Sequence, residues 1–542
     1  MREKLRHIKD KLFTLSANVS VILLVLALIV VLGPMLAKGF TAVVFEGTSE
    51  FRRLQLEEHS RGSKEEVLAE INQGQKERRK LHQMIEDFNV GIDTSEMYDS
   101  ARDVYRKYSR NLRSLDLPYD EYSGKRRKAR EVRDLFLDAI ESEDSEKVNS
   151  FLEKVFAEQD NKDFQGTAFE KIFTLAERFQ QTSKKIDFSK RDQYKEDLVR
   201  IKELIKELFG PAPGAEKPAL IMEQYGATRW DMAQKVIDEI IHKTKWVEQE
   251  GTAALAKKKV DRRKTFEGTE FEAFFDVLPG KAKEILKPKT TFYWQYFIDD
   301  STPGHYFGGV GPEIIGTLTL TLLAMAMSIP LGITAAAYLV ECAGENIVVK
   351  IIRGFINTLA GVPSIVFGLF GMAFFVMYLL PLFGKQPQAC ILTASMTLAV
   401  LVLPVIIRAS EEAIRAVPRT YKEASLALGA GNFSTFIFVT MPAAMPGILT
   451  GIILSLSRAA GETAPILFTG AVALGPIPDS IFSPTRTLSY GSYDIAVGDR
   501  LAMQVPHKQY GMVATLILLV LILNIIAICI RSRMSAKLKG QK

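Results

Sequence analysis

Arg458 and Glu462 stand four residues apart inside residues 443–469, a stretch that is otherwise apolar. Ionisable groups in such a setting are costly and face protein or water rather than lipid. At that spacing they share one helix face, and two chemistries are open to them. They neutralise one another inside a helix bundle. Alternatively, Arg458 offers its fixed fork of N–H donors to the oxygens of an oxyanion or closes a passage behind it. Glu462 would then accept a ligand hydroxyl proton and repel anions that lack one. Thr463 follows directly and is grouped with them. The rest of the chain offers no competing chemistry. Its six His are scattered, and its three Cys (Cys342, Cys390, Cys529) form no motif. No nucleophile motif, metal-ligand spacing or phosphate-cradling P-loop occurs, so no catalytic residue, metal or disulfide is expected.

The elements that position this pair come from an uneven chain. Over 542 residues the hydrophobic fraction is 47%, the charged fraction 24% and the mean hydropathy +0.06. These averages exclude a collagen-like or wholly disordered chain. They also hide two materials. Residues 41–300 carry 47 Lys/Arg and 51 Asp/Glu, and the remainder carries 22 and 12. In that remainder, apolar stretches occupy residues 12–37, 314–340, 354–384, 386–407, 443–469 and 509–530. At 1.5 Å per residue each approaches the roughly 30 Å hydrocarbon core. Six membrane-spanning helices are expected. The first apolar run exceeds the 7–15 residues of a signal peptide, so it is read as a retained span.

Basic residues set the expected orientation. Arg2, Lys4, Arg6, Lys9 and Lys11 precede the first span. Lys350 and Arg353 lie between the second and third, and Arg408, Arg415, Arg419 and Lys422 between the fourth and fifth. Arg531, Arg533, Lys537, Lys539 and Lys542 follow the sixth. All of these, with both termini, are placed in the cytoplasm. The loop at 471–508 is outside, its Arg486, Arg500 and Lys508 offset by Asp479, Asp494 and Asp499. The positive excess therefore reports topology, not a nucleic-acid partner.

Residues 41–304 then face outward, exempt from the charge rule as a long translocated domain. Apolar residues at three- and four-residue steps predict helices over 65–88, 126–140, 148–157, 168–179 and 194–209. Breaks are expected at Leu117-Pro118 and at 211–218. The basic run of Lys257, Lys258, Lys259, Arg262, Arg263 and Lys264 is read as a solvated helix face or one drawn to lipid head groups. A short echo occurs at Phe45-Glu46-Gly47-Thr48, Phe164-Gln165-Gly166-Thr167 and Phe266-Glu267-Gly268-Thr269, each followed by another Phe. It is compatible with a recurring turn in which Thr caps a helix and Gly relaxes the backbone. It is equally compatible with chance.

Between the fourth and fifth spans, residues 411–442 read as two short amphipathic helices. Glu411, Glu412 and Glu423 can meet basic partners, Ala424 and Ser425 permit close approach, Gly429 allows a turn and Pro442 ends the segment. A helix lying on the lipid is the plain reading. The run Glu423-Ala424-Ser425, Gly429, Val439 and Met441-Pro442 also resembles the EAA-type signature of ABC-importer permeases. Ser425 replaces the usual second Ala, Val439 the usual Ile and Met441 the usual Leu. Gly308-Gly309-Val310-Gly311-Pro312 and Gly361-Val362-Pro363-Ser364 are similar to segments of phosphate permeases. Arg458-Ala459-Ala460-Gly461-Glu462-Thr463-Ala464-Pro465 is similar to the PstA-type subunit of the phosphate ABC importer, within the binding-protein-dependent transport inner-membrane family.

This resemblance covers residues 305–530 well and 15–40 weakly, and it leaves out 41–300. It implies an all-α membrane protein with a six-helix, type I importer-like ABC permease core. Into that core a predominantly helical extracytoplasmic domain is inserted. The domains would be 1–40 (cytoplasmic N-terminus and first span), 41–304 (insertion), 305–535 (core, with the coupling loop at 411–442) and 536–542 (cytoplasmic tail). The chain would be a multi-pass protein of the bacterial inner membrane and no enzyme. It would sit in the lipid bilayer and carry phosphate with a PstC-type sister permease, a PstB-type cytoplasmic ATPase dimer and a periplasmic PstS-type phosphate-binding protein. No cofactor would sit in this chain; ATP and Mg would belong to the ATPase. Glu411, Glu412, Glu423, Ala424, Ser425, Gly429 and Pro442 would couple to that ATPase. A permease for another oxyanion, and a membrane-anchored scaffold or sensor acting through 41–304, stay open beside it.

Overall fold

The computed structural model describes residues 2–115, 117–183, 186–216, 218, 221–248, 255–303, 305, 307–344, 346–497 and 505–538. Asp499, Arg500, Lys539 and Lys542 of the charge reading lie outside the described residues. The chain divides into two compact units, Met1–Phe45 with Thr291–Lys542, and Glu46–Thr290. Residues 291–304 belong to the first.

In the first unit, six helices are long and apolar enough to cross a membrane: Lys11–Phe40, Gly311–Cys342, Ser364–Leu382, Ile391–Arg415, Asn432–Gly461 and Pro506–Ala536. The shortest has 19 residues, a rise of about 28 Å. Spans two and four pack along each other, span five lies on span four, and span six lies on spans one and five. Lipid offers no hydrophobic drive between helices, so close approach of small residues has to hold them. Gly447 and Gly451 of span five meet Ala413 and Ala409 of span four with no room for a Cβ, and Gly332 of span two seats on Ile406 in the same way. The glycines thus pack within the chain.

Two apolar stretches expected as single helices are interrupted. Residues 354–384 split into Ile347–Ala360 and Ser364–Gly371, the start of span three, with Pro363 extended between them (ψ 138°). A proline disfavours helix in the residue before it and lacks an N–H to continue the ladder. Residues 443–469 split after Gly461: Glu462 is extended (ψ 132°) and a short helix, Ala464–Thr469, restarts with Pro465 in its first turn. There the missing N–H has no partner to lose. Pro330 and Pro404, in contrast, lie inside continuous helices.

At the end of the bundle where span two begins, two charges read as loop residues, Arg486 and Lys508, are buried with Glu313 of span two. Arg486 and Lys508 are each 2% exposed and Glu313 is 1% exposed. Lys508 Nζ donates to Ser301 Oγ (2.9 Å), the Gly308 carbonyl (2.9 Å) and the Phe307 carbonyl (3.3 Å), which uses all three ammonium protons. Arg486 stands 2.6 Å from Asp300 and 3.6 Å from Glu313. This cluster ties the segment before span two, the 485–488 loop and the start of span six.

The second unit is mostly helical, and helices Lys64–Ile92, Tyr119–Glu141, Ser145–Phe156, Glu170–Ser183 and Arg191–Phe209 fall on the five expected windows. The basic run is not a helix face. Strands His242–Glu248 and Leu255–Asp261 form an antiparallel hairpin, and a 3-10 turn, Arg262–Phe266, follows it. Arg262 is buried at its base. Asp197 accepts from Lys243 (2.6 Å) and faces Arg262 (3.5 Å), so one carboxylate clamps both ends of the hairpin.

Two of the three sequence echoes make one turn. In each, glycine is left-handed (Gly166 φ 68°, Gly268 φ 79°). Its N–H donates to the Glu four residues on, Glu170 (2.9 Å) or Glu272 (3.0 Å). The Thr hydroxyl donates to the Phe carbonyl three residues back. The flanking rings, Phe164 with Phe169 and Phe266 with Phe271, meet in the core at 4.5 and 5.1 Å. The first echo differs: Gly47 lies in a strand, and Thr48 caps helix Ser49–His59.

Candidate functional site

The 411–442 loop is built on the opposite end of the six-helix bundle from the Lys508 cluster. Span four ends at Arg415, and Pro418 opens the helix Arg419–Ala427, in which no residue is buried. Gly429 ends it with φ 87°, the left-handed cap that glycine alone adopts without a Cβ penalty. The Gly429 and Ala430 N–H groups return to the Leu426 and Ser425 carbonyls. Span five then opens at Asn432 and passes through a π-helical segment, Phe436–Thr440, before Met441-Pro442.

The loop's side chains sort into two groups. Glu412 and Glu423 are exposed, as are Tyr421 (55%), Leu426 (44%), Leu428 (91%) and Phe433 (80%). Apolar side chains grouped on an otherwise polar loop mark a surface that another protein or lipid covers. Glu411 is different. It is half-buried and held by Arg353 (3.0 Å) and Arg415 (2.6 Å). Ser425 Oγ lies 2.9 Å from Thr435 Oγ1, so the departure from alanine supplies a hydrogen bond across the turn.

Arg458 Nε donates to Glu462 Oε1 at 3.2 Å, with the side chains 34% and 19% exposed. The helix break puts Glu462 at the C-terminal end of span five and Thr463 at the start of the short helix beyond. The Glu462 carbonyl accepts from Ser489 Oγ at 3.2 Å. The pair is therefore formed, yet still reachable from outside the chain. Among the described residues, no group of three His, Cys, Asp or Glu could hold a metal ion.

Sequence reasoning read Arg353, Arg486 and Lys508 only as topology charges and passed over Glu341 and Glu313, so it missed the links that face the loop and the Glu313–Arg486–Lys508 cluster. Glu313 and Lys508 left a readable signal: each is a single charge at the start of a long apolar run.

A bundle of six helices long and apolar enough to cross a membrane is that of a multi-pass membrane protein. The chain belongs to the family described as the binding-protein-dependent transport system inner membrane component, whose profile matches residues 328–540. It is 33% identical over 223 residues to the probable ABC transporter permease protein YqgI of Bacillus subtilis, covering 39% of this chain and 74% of that one. It is 31% identical over 226 residues to the phosphate transport system permease protein PstA of Xylella fastidiosa (strain Temecula1), covering 42% and 76%. Identity to PstA 1 of Mycobacterium tuberculosis is 39% over 175 residues, covering 32% of this chain. That match spans 55% of the Mycobacterium protein, about half its length. Among solved structures, an inward-facing MetNI methionine ABC transporter chain aligns at 18% identity and a TM-score of 0.34, over 42% of this chain and 95% of that one.

Proposed function

We propose that this chain is the PstA-type permease subunit of an ATP-driven phosphate importer. It forms part of the translocation pathway and couples to a separate ATPase. The exposed 411–442 loop carries the reading: apolar and acidic side chains stand on a helix that buries nothing in its own chain. A groove on a cytoplasmic ATPase dimer would cover it. Phosphate rests on the relatives named as phosphate permeases and on the chemistry of Arg458, whose guanidinium matches tetrahedral oxyanions. The Glu462 pairing keeps that cation from holding an anion tightly, as a pathway must release what it passes. In this reading both termini and the loop are cytoplasmic and residues 41–304 are extracytoplasmic. A PstC-type sister permease, a PstB-type ATPase binding ATP and Mg, and a PstS-type binding protein complete the complex.

Copurification tests it. The tagged chain, expressed with its candidate partners, should retain an ATPase and a second permease, and Leu428→Asp with Phe433→Asp should release the ATPase alone. Retention of the ATPase by that double variant would remove the docking assignment.

A further inference from the structure

The helix Arg419–Ala427 has no buried residue. A cavity of about 600 Å³ lies beside it, with Leu339, Val340, Arg353, Val417, Lys422 and Glu423 among its lining residues. Polar links cross this space. Lys422 Nζ pairs with Glu341 Oε1, and Glu341 lies in the π-helical end of span two, Tyr338–Cys342. Arg353 donates to the Leu339 carbonyl in the same π-helical turn (3.0 Å) and pairs with Glu411 of span four (3.0 Å). Ser425 reaches Thr435, next to the π-helical segment of span five. The loop helix is thus linked to the ends of two spans at irregular turns, which are places where helices adjust and where functional sites concentrate.

Resting on the reading above, we propose that the Lys422–Glu341 pair is a strut that delivers movement of the coupling helix to span two. Arg353 passes the displacement on to span four through Glu411. Magnitude separates this from a stabilising role. A partly exposed ion pair adds little to stability, so its loss should not unfold the chain, whereas a coupling link transmits whatever load the ATPase applies. Glu341 and Arg353 would be positioning residues, acting through the helix that meets the partner.

The test uses the full complex in proteoliposomes, with Cys529→Ser in the background so that Cys342 is the exposed thiol beside Glu341. In the parent, vanadate trapping with ATP should change the rate of maleimide labelling at Cys342. Glu341→Gln should keep the ATPase bound, abolish that change and lower uptake per ATP hydrolysed by about fivefold or more. The swap Glu341→Lys with Lys422→Glu should restore both. An unchanged labelling response in Glu341→Gln, or no recovery in the swap, overturns the strut. Cys342 labelling does not depend on the transported ion. A labelling response without phosphate uptake in the parent would therefore count against phosphate and leave the strut standing.

Discussion

With three hydrogen bonds around it and Glu313 and Arg486 close by, Lys508 is a charge whose neighbours depend on it. Removing one member of a buried charge cluster strands the others, at a cost of about 3–5 kcal/mol. Lys508→Met should therefore lower the thermal midpoint of the detergent-purified chain sharply, and adding Glu313→Gln should recover part of the loss. Additive losses in the double variant would show that the two charges do not interact. At Arg458 and Glu462 the cycle reads transport instead. If the two only neutralise each other, single alanine variants lose uptake and the double variant regains it; if Arg458 meets the ion, the double variant stays inactive. His82 gives a pH signature in the inserted unit. Burial, with Arg78 beside it, pushes its imidazole down to about 4 from the usual 6.5. The unfolded chain then takes up the proton first, so this contribution is complete above about pH 6.5 and is lost as pH falls toward 4. Hydrogen exchange across residues 81–92 of the full chain, corrected for intrinsic rates, should quicken between pH 7 and 5. His82→Leu should flatten that dependence, and an equally steep profile would refute the assignment.

Among the elements, periodicity made the long helices legible, because burial of one face repeats every three or four residues. It failed where local chemistry outweighed pattern. The hairpin was missed because its strands are rich in lysine, and its base is fixed by the distant Asp197, which no local window contains. The breaks at Pro363 and Pro465 lay inside uninterrupted apolar runs, so hydropathy alone joined helices that backbone chemistry separates. The Phe-x-Gly-Thr-x-Phe-Glu turns were visible as words, but their meaning required the left-handed glycine and the returning glutamate. Gly268→Ala should cost about 1–2 kcal/mol through that backbone geometry, read as a lower unfolding midpoint, with Gly268→Asn milder. Equal effects would mean that φ is not the reason for glycine there. Gly429 faces open space at its Cβ position. Its replacement therefore acts by straining the cap, and loss of coupling in Gly429→Ala with rescue in Gly429→Asn would separate strain from a clash with the partner.

For the whole molecule, the candidate site was legible in part. The loop's exposed residues and the 458–462 pair were found from spacing and from the family resemblance, while the links behind the loop join residues up to 81 positions apart and need the fold. Glu46–Thr290 has its own core and forms a compact unit. Replacing it by a short linker should leave six spans that insert and retain the ATPase, and failure to insert would tie the unit to assembly. ATP-driven uptake by the purified complex in proteoliposomes tests transport most directly. Labelled phosphate should accumulate only with ATP inside the ATPase-facing compartment, and excess sulfate or molybdate should not compete. ATP-driven accumulation of another oxyanion with no phosphate uptake, or no uptake when every partner subunit is present, would contradict it.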